Sequence, residues 1–146
     1  CGINDIRYKN GYGFIHGDNQ NMCRKYLGED TFYDENIPLI RLSEMYYILA
    51  ESVSLEESVE YINKVRNTRG ISRTYDIIYN SSYTDVERRE ALLKEYQKEF
   101  FAEGQFFYFL KRHNYETFYR CPVAKMVYYV FPIPDDEVEF GSMTDE

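Results

Sequence analysis

The stretch that decides the fold is residues 98–112, KEFFAEGQFFYFLKR, an aromatic segment interrupted once by Glu103 and Gly104. It carries seven large apolar or aromatic side chains and ends at the basic pair Lys111 and Arg112. Since Gly costs roughly 1 kcal/mol relative to Ala inside a helix, we expect Gly104 to end or bend a helix. Residues 105–112 are apolar nearly all round and therefore predict a short, mostly buried helix.

Two further helices are predicted upstream, and they are close enough in sequence to form an antiparallel hairpin. Residues 41–52 place apolar side chains at helical spacing on one face. Ser54 opens a capping box, in which its hydroxyl accepts from the N–H of Glu57 and the Glu57 side chain reaches back. The second helix is expected to run to about Arg69, with Gly70 as a left-handed stop. The apolar side chains on the face of the first helix are Leu42, Met45, Tyr46 and Leu49.

A connector of residues 71–83 leads to a third predicted helix. Thr84 and Glu87 form a second capping box, and the apolar stripe predicts a helix that runs to about Glu103. The connector is longer than a usual link between helices, and long connections are often functional. It carries three tyrosines that suit a sugar ligand, because small-molecule sites are commonly lined by aromatics with a few polar groups. The alternative is that they pack beneath the loop. These candidate ligand-binding residues are Tyr75, Tyr79 and Tyr83.

The two ends of the chain predict less helix. Residues 1–36 are polar and rich in Gly, Asn and Asp, which is typical of loops, with a short strand at about 12–15. Residues 126–131 favour an extended segment, and residues 141–146 are expected to be disordered. The chain is therefore predicted to be a single, mostly α domain of tetratricopeptide-like helical hairpins, with irregular loops and an extended C-terminal segment.

Composition argues against several classes of partner. The 146 residues carry a net charge of −8, and the basic residues form no stripe, so the chain repels phosphate backbones and anionic membrane surfaces. No apolar run reaches the ~20 residues of a membrane-spanning helix. The 16 Tyr and 10 Phe are compatible both with a partly hydrated core and with a ligand-binding surface, since Tyr has an apolar ring and a polar hydroxyl.

The cysteines and histidines predict no metal centre. Cys1, Cys23 and Cys121 are widely spaced; they are compatible with one disulfide and a free thiol but demand neither. No pair has the spacing of zinc ligands, and the only histidines are His16 and His113. Cys1 followed by Gly is compatible with a lipidated mature N-terminus, or with an arbitrary cut in a longer protein.

Candidate catalytic groups are few. Glu99 and Glu103 lie four residues apart on one helical face, whereas a glycosidase needs two carboxylates about 5–10 Å apart across a cleft. We favour the alternative that they pair with Lys or Arg, or cap neighbouring backbone groups. No nucleophile elbow, phosphate loop or dinucleotide fingerprint is present, and no cofactor is expected. A C-terminal acidic group lacks the spacing of a calcium loop and indicates a solvated turn. Its members are Asp135, Asp136, Glu137 and Glu139.

Four segments resemble, in order, the motifs of SusD/RagB-like proteins, and together they cover about residues 37–138. Residues 37–51, IPLIRLSEMYYILAE, resemble the helix iPliRlaEvyLilAEa, and residues 61–71, YINKVRNTRGI, resemble lNkvRnraGl. Residues 99–112 are similar to ELafEGhRwfDLkR, and residues 131–137, FPIPDDE, resemble fPIPxxEi.

The chain departs from this family pattern at three places. Phe106 and Phe109 stand where the family often has Arg and Asp, and Phe107 replaces a common Trp. The family's terminal QNpgY ending is absent or altered after Glu139. These departures indicate a divergent member.

The resemblance implies the C-terminal part of a larger protein, with a loop-rich lead-in at 1–36 and a helical SusD/RagB-like region at 37–140. Family members are outer-membrane lipoproteins of Bacteroidota that bind glycans or other nutrients at the cell surface beside a SusC-like TonB-dependent transporter. They are not enzymes, and their only membrane association is through the lipid anchor. The alternatives are a helical-repeat protein–protein interaction scaffold without a small ligand, and a hydrolase fragment that uses Glu99 or Glu103.

Overall fold

A computed structural model describes residues 4–8, 14–16, 21–23, 25, 38–117 and 129–141. The described residues form two short strands, five α-helices and one 3₁₀ turn, so the prediction of a mostly α fold is confirmed. The elements are β1 (Phe14–His16), β2 (Asn21–Cys23), α1 (Leu42–Ser52), α2 (Leu55–Thr68), the 3₁₀ turn Arg73–Tyr75, α3 (Asp85–Glu99), α4 (Gln105–Arg112) and α5 (Asp135–Phe140). The chain divides into two compact units, Cys1–Phe106 and Phe107–Glu146.

The first unit is built on the predicted hairpin of α1 and α2. These helices pack on each other, and both contact α3. The capping box at the start of α2 is present, with the Glu57 N–H and the Ser54 hydroxyl oxygen 3.3 Å apart. Gly70 follows α2 with φ of 82°, as a left-handed stop requires. A Cβ at Gly70 would lie 2.6 Å from the carbonyl oxygen of Asn4, so this position also needs the smallest residue.

Helix α3 begins where the sequence predicts but ends earlier. Its capping box joins Thr84 and Glu87. The prediction that it runs to about Glu103 is wrong, because the last helical residue is Glu99. Ala102 and Gly104 adopt positive φ angles of 62° and 84°, and two left-handed residues so close together are incompatible with continued helix. The predicted break at Gly104 is confirmed, and α4 follows it directly.

The core of the first unit is aromatic, and α1 contributes a different face from the predicted one. The ring of Tyr47 lies 5.3 Å from that of Tyr96 and 6.0 Å from that of Phe100. The residues of α1 that are buried are Ser43, Tyr47 and Ala50. Leu42 is instead 70% exposed and Leu49 42% exposed, so the apolar face that the sequence indicates is not the buried face of α1. Ser43 and Ala50, which lie one helical turn before and after Tyr47, are small and allow the neighbouring helices to approach closely. The spacing of apolar residues in the sequence does not reveal this.

The second unit is organised around Phe109, which is fully buried together with Leu110. The Phe109 ring lies 4.6 Å from the ring of His113 and 6.0 Å from that of Tyr115. Tyr129 donates its hydroxyl to the carbonyl oxygen of Tyr115 at 2.6 Å. The predicted short helix over residues 105–112 is therefore confirmed. The expectation that it is mostly buried is wrong, because only Phe109 and Leu110 are buried and Tyr108 is 61% exposed.

The C-terminal acidic group forms a helix rather than the predicted turn. Pro134, with φ of −57° and ψ of 142°, ends an extended segment and caps α5. Carboxylates in the first turn stabilise a helix because their negative charge is attracted to the positive end of the helix dipole. Asp136, Glu137 and Glu139 are exposed, so the expectation of a solvated group holds.

The remaining predictions concern the chain ends. The strand expected at about 12–15 is present as β1, and β2 pairs with it antiparallel, a partner that the sequence analysis missed. Cys23 is a free thiol, whereas Cys1 and Cys121 lie outside the described residues. Residues 126–128 of the predicted extended segment and residues 142–146 also lie outside them. No described helix is long and apolar enough to span a bilayer.

Candidate functional site

Glu99, one of the two carboxylates considered for hydrolysis, sits in a cluster of buried ion pairs. It is 2% exposed and accepts hydrogen bonds from Arg7 at 3.1 Å, Arg41 at 2.9 Å and Arg69 at 3.0 Å. Glu103 accepts from Arg41 at 3.1 Å. The predicted pairing of Glu99 and Glu103 with basic residues is thus confirmed.

Glu95, one helical turn before Glu99, belongs to the same cluster. It is 1% exposed and pairs with Arg7 at 2.9 Å, Arg66 at 3.0 Å and Lys98 at 2.6 Å. The hydroxyl of Tyr47 donates to Glu95 at 3.4 Å. Two carboxylates on α3 are therefore surrounded by basic side chains from four parts of the first unit: the lead-in segment, the residue before α1, the α2 region and α3 itself.

The electrostatics of this cluster favour stability rather than acid–base chemistry. Burial alone would raise the pKa of Glu99, but Arg69, Arg41 and Arg7 hold that pKa at about 2. Burial would likewise raise the pKa of Glu95, and the charges of Arg7 and Lys98 lower it below its usual value. A general acid needs a pKa near the working pH, so neither group is suited to protonate a leaving group.

The lead-in segment supplies two members of the cluster that the sequence analysis did not single out. Asp5 is fully buried and binds Arg7 at 2.8 Å, and Arg7 in turn bridges Glu95 and Glu99. The backbone N–H of Ile6 donates to the carbonyl oxygen of Arg69 at 2.8 Å. No sequence signal marks Arg7, because its partners Glu99 and Glu95 are 92 and 88 positions away.

The connector between α2 and α3 carries the three candidate tyrosines. Tyr75 lies in the 3₁₀ turn and is 69% exposed. Tyr79 and Tyr83 contact each other edge to face, with ring centroids 6.2 Å apart. The hydroxyl of Tyr83 is buried without a hydrogen-bond partner among the described residues, and burial together with Glu87 raises its pKa. The structure thus brings two of the three together and leaves the third open to solvent, and a ligand role for them stays a prediction.

The connector is fixed to α2 by side-chain hydrogen bonds. Asn63 donates to the carbonyl oxygen of Ile77 at 2.8 Å and accepts from the N–H of Ile77 at 2.9 Å. Arg66 donates to the carbonyl oxygen of Tyr75 at 2.8 Å while it also binds Glu95. Arg66 therefore joins the connector to the buried ion pairs, and the position of the loop depends on both.

An open groove of about 610 Å³ lies between α2 and the first half of the connector. We call it the α2 groove. Its polar lining includes Glu60, Lys64, Asn67, Thr68, Arg73 and Asp76. The sequence analysis missed it, although polar residues at positions 60, 64 and 67 recur at helical spacing and could have indicated a polar face.

The described residues contain no group of three or more His, Cys, Asp or Glu side chains placed to hold a metal ion. The α2 groove and the connector offer polar groups for hydrogen bonding and aromatic rings for contact. Both come from one helix and the loop anchored on it.

Comparison with known proteins gives one family. The model of the SusD family matches residues 21–129, a range that contains the α1–α2 hairpin, the connector, α3 and α4. No curated protein and no solved structure gives a match. The match confirms the resemblance that the ordered motifs predict.

Proposed function

This chain belongs to the SusD family, and on that premise we propose that it binds a glycan at the cell surface and delivers it to a SusC-like TonB-dependent transporter. The family is in general one of nutrient- and glycan-binding surface proteins. The observation that carries the proposal is the match over residues 21–129, which includes the helical hairpin and the connector. The protein acts by binding, without a catalytic step.

The location we propose is the outer membrane of a member of the Bacteroidota, with a lipid anchor on the full-length protein as the only membrane attachment. The acidic charge of −8 favours this form of attachment over direct contact, because an anionic surface repels an acidic protein.

For the ligand contacts we propose Tyr75, Tyr79 and Tyr83. Exposure of the Tyr75 ring supports this role, because a flat aromatic face can cover the apolar face of a sugar ring. Tyr79 supports it as well, since it is held against Tyr83 and is 41% exposed. Anchoring of the connector on α2 would reduce the entropy lost when a ligand binds.

The test is purification of the tagged full-length protein from outer membranes of its source organism. We expect a TonB-dependent transporter to copurify, and external protease to remove the protein from intact cells. Retention of the protein inside intact cells, with no transporter in the purified material, would contradict the proposal.

A second candidate is a scaffold that binds protein alone, and one observation favours it. Leu42, Met45 and Leu49 lie on one face of α1 and are exposed. Exposed apolar patches often mark protein interfaces. A full-length protein that binds no glycan but retains its protein partners would favour the scaffold.

A further inference from the structure

Polar contacts fasten residues 4–8 of the lead-in segment to α3. Asp5 is fully buried and binds Arg7 through both of its carboxylate oxygens, at 2.9 and 2.8 Å. The guanidinium of Arg7, held in this way, reaches Glu95 on α3 at 2.9 Å. Withdrawal of residues 4–8 would therefore remove one buried cation from Glu95.

Glu95 presents its two carboxylate oxygens to different neighbours. Its Oε2 accepts from Arg7 at 2.9 Å and from the Tyr47 hydroxyl at 3.4 Å. Its Oε1 accepts from Arg66 at 3.0 Å and from Lys98 at 2.6 Å. Because the carboxylate is planar and rotates as one group, the contacts at Oε2 help to fix the position of Oε1. The side chain is 1% exposed, so water cannot readily replace a lost partner.

Arg66 extends this arrangement to the connector. Its Nη1 donates to Glu95, and its Nη2 donates to the carbonyl oxygen of Tyr75 at 2.8 Å. The two bonds use two ends of one planar guanidinium, so a shift at one end moves the other. Tyr75 ends the 3₁₀ turn in the first half of the connector. Three side chains in series, Arg7, Glu95 and Arg66, therefore join the lead-in segment to this turn.

The second half of the connector is held by its own residues. The Asn80 side-chain oxygen accepts from the backbone N–H of Ser82 at 2.9 Å. The Asn80 carbonyl oxygen accepts from the backbone N–H of Tyr83 at 2.9 Å. These bonds are local in sequence and are made by none of the three side chains in the series. Loss of the series should therefore affect the first half of the connector and spare the second.

We propose that residues 4–8 control the order of the 3₁₀ turn, with Arg66 as the positioning residue that couples the two segments. With Arg7 in place, Glu95 is fixed and Arg66 holds the carbonyl oxygen of Tyr75. With Arg7 withdrawn, the Glu95 carboxylate rotates, and Arg66 follows it away from Tyr75. A partner that holds or displaces residues 4–8 would thereby change the order of the connector. The inference goes beyond the proposed function and does not depend on it.

The test is residue-resolved hydrogen exchange on the full-length protein and on its Arg7→Gln variant. The N–H groups of Tyr75 and Asp76, which donate at the 3₁₀ turn, are here called the turn amides. They should exchange about fivefold faster in the variant, the lower end of typical coupling between sites. The amides of Ser82 and Tyr83 should keep their rates. Equal acceleration of all four amides, or of none, would overturn the proposal.

A second substitution tests the route of the coupling. Arg66→Lys keeps a positive charge beside Glu95 but lacks the planar fork that reaches Tyr75, so the turn amides should exchange faster in this variant as well. Addition of Arg7→Gln to Arg66→Lys should then give no further acceleration, because the series is already broken. A further increase of about fivefold in the double variant would rule out Arg66 as the coupling residue.

Two more variants separate this coupling from a general loss of stability. Arg88→Gln removes another largely buried arginine, one that binds the carbonyl oxygen of Val53 and the carboxylate of Asp85, and it should leave the turn amides unchanged. Asp5→Asn replaces Arg7→Gln if the latter does not fold, because it removes only the charge that orients Arg7. It should accelerate the turn amides in the same way. Unchanged rates in Asp5→Asn, or equal acceleration in Arg88→Gln, would contradict the proposal.

Discussion

Glu99 forms more ion pairs than the packing of its side chain in the core would require. Arg7, Arg41 and Arg69 all bind its carboxylate, and each is largely withdrawn from water. Removing one partner from a buried ion pair leaves the remaining charge buried without compensation. The resulting loss of stability is much larger than the net stabilisation that the intact pair provides. This residue therefore carries the first prediction.

We expect Glu99→Gln to lower the free energy of unfolding by about 3–5 kcal/mol, because three guanidinium groups lose their shared counter-charge. Urea denaturation of both proteins measures the difference. Glu90→Gln, an exposed position on the same helix, serves as the control and should change stability by less than about 0.5 kcal/mol. Equal effects of the two substitutions would refute a central role for the cluster.

Gly70 and Gly104 provide a second, internally controlled prediction. Both have positive φ, 82° and 84°, so Ala at either position carries a backbone penalty of about 1–2 kcal/mol. Only at Gly70 would the new Cβ also meet a backbone oxygen, that of Asn4, at 2.6 Å. Thermal unfolding should show that Gly70→Ala is more destabilising than Gly104→Ala, and the reverse order would contradict the close approach of the lead-in segment to α2.

At the level of helices, the starts are encoded locally. Ser54 and Thr84 each cap a helix through a reciprocal contact with the residue three positions on. A substitution of such a cap by Ala usually costs about 1 kcal/mol, because a backbone N–H loses its acceptor. These capping contacts are exposed to solvent, so the stability that they contribute depends little on packing in the core.

We expect Ser54→Ala to reduce the free energy of unfolding by about 1 kcal/mol, measured by urea denaturation. Ser81→Ala, in the exposed turn before α3, should be nearly neutral. A neutral result for Ser54→Ala would show that packing of α1 on α2 fixes this helix start without its cap.

For the first unit as a whole, the buried carboxylates predict sensitivity to acid. The pKa of Glu99 falls from 4.5 to about 2 in the folded protein, and those of Glu95 and Asp5 are also lowered. A carboxyl whose pKa is lower in the folded state stabilises the fold above its unfolded pKa and loses that contribution as pH falls towards the folded pKa.

Stability should therefore be retained above pH 5 and decline between about pH 4.5 and pH 2, with Glu99 alone accounting for about 3 kcal/mol. Denaturant titrations across this range measure the decline. In Glu99→Gln the slope should be smaller, because the variant lacks this titrating group. An unchanged slope would assign acid sensitivity to other carboxyl groups.

Local signals in the chain were sufficient to predict the first four helices, their starts and the family, but not α5. The capping boxes, the break at Gly104 and the ordered motifs depend on residues that are close together in sequence, so their physical causes can be read without a structure. The same holds for the pairing of Glu99 with basic side chains, although not for the identity of Arg7 as one partner.

The remaining features, which are the buried face of α1, the end of α3 and the position of the connector, depend on long-range packing. It turned Tyr47 inwards between Ser43 and Ala50 and left Leu42 exposed, ended α3 at Glu99, and placed Asp76 beside Asn67 in the α2 groove. Each of these outcomes depends on which segments meet across the fold. Local periodicity carries no information about the partner that covers a helix face, because burial is a property of two surfaces rather than one.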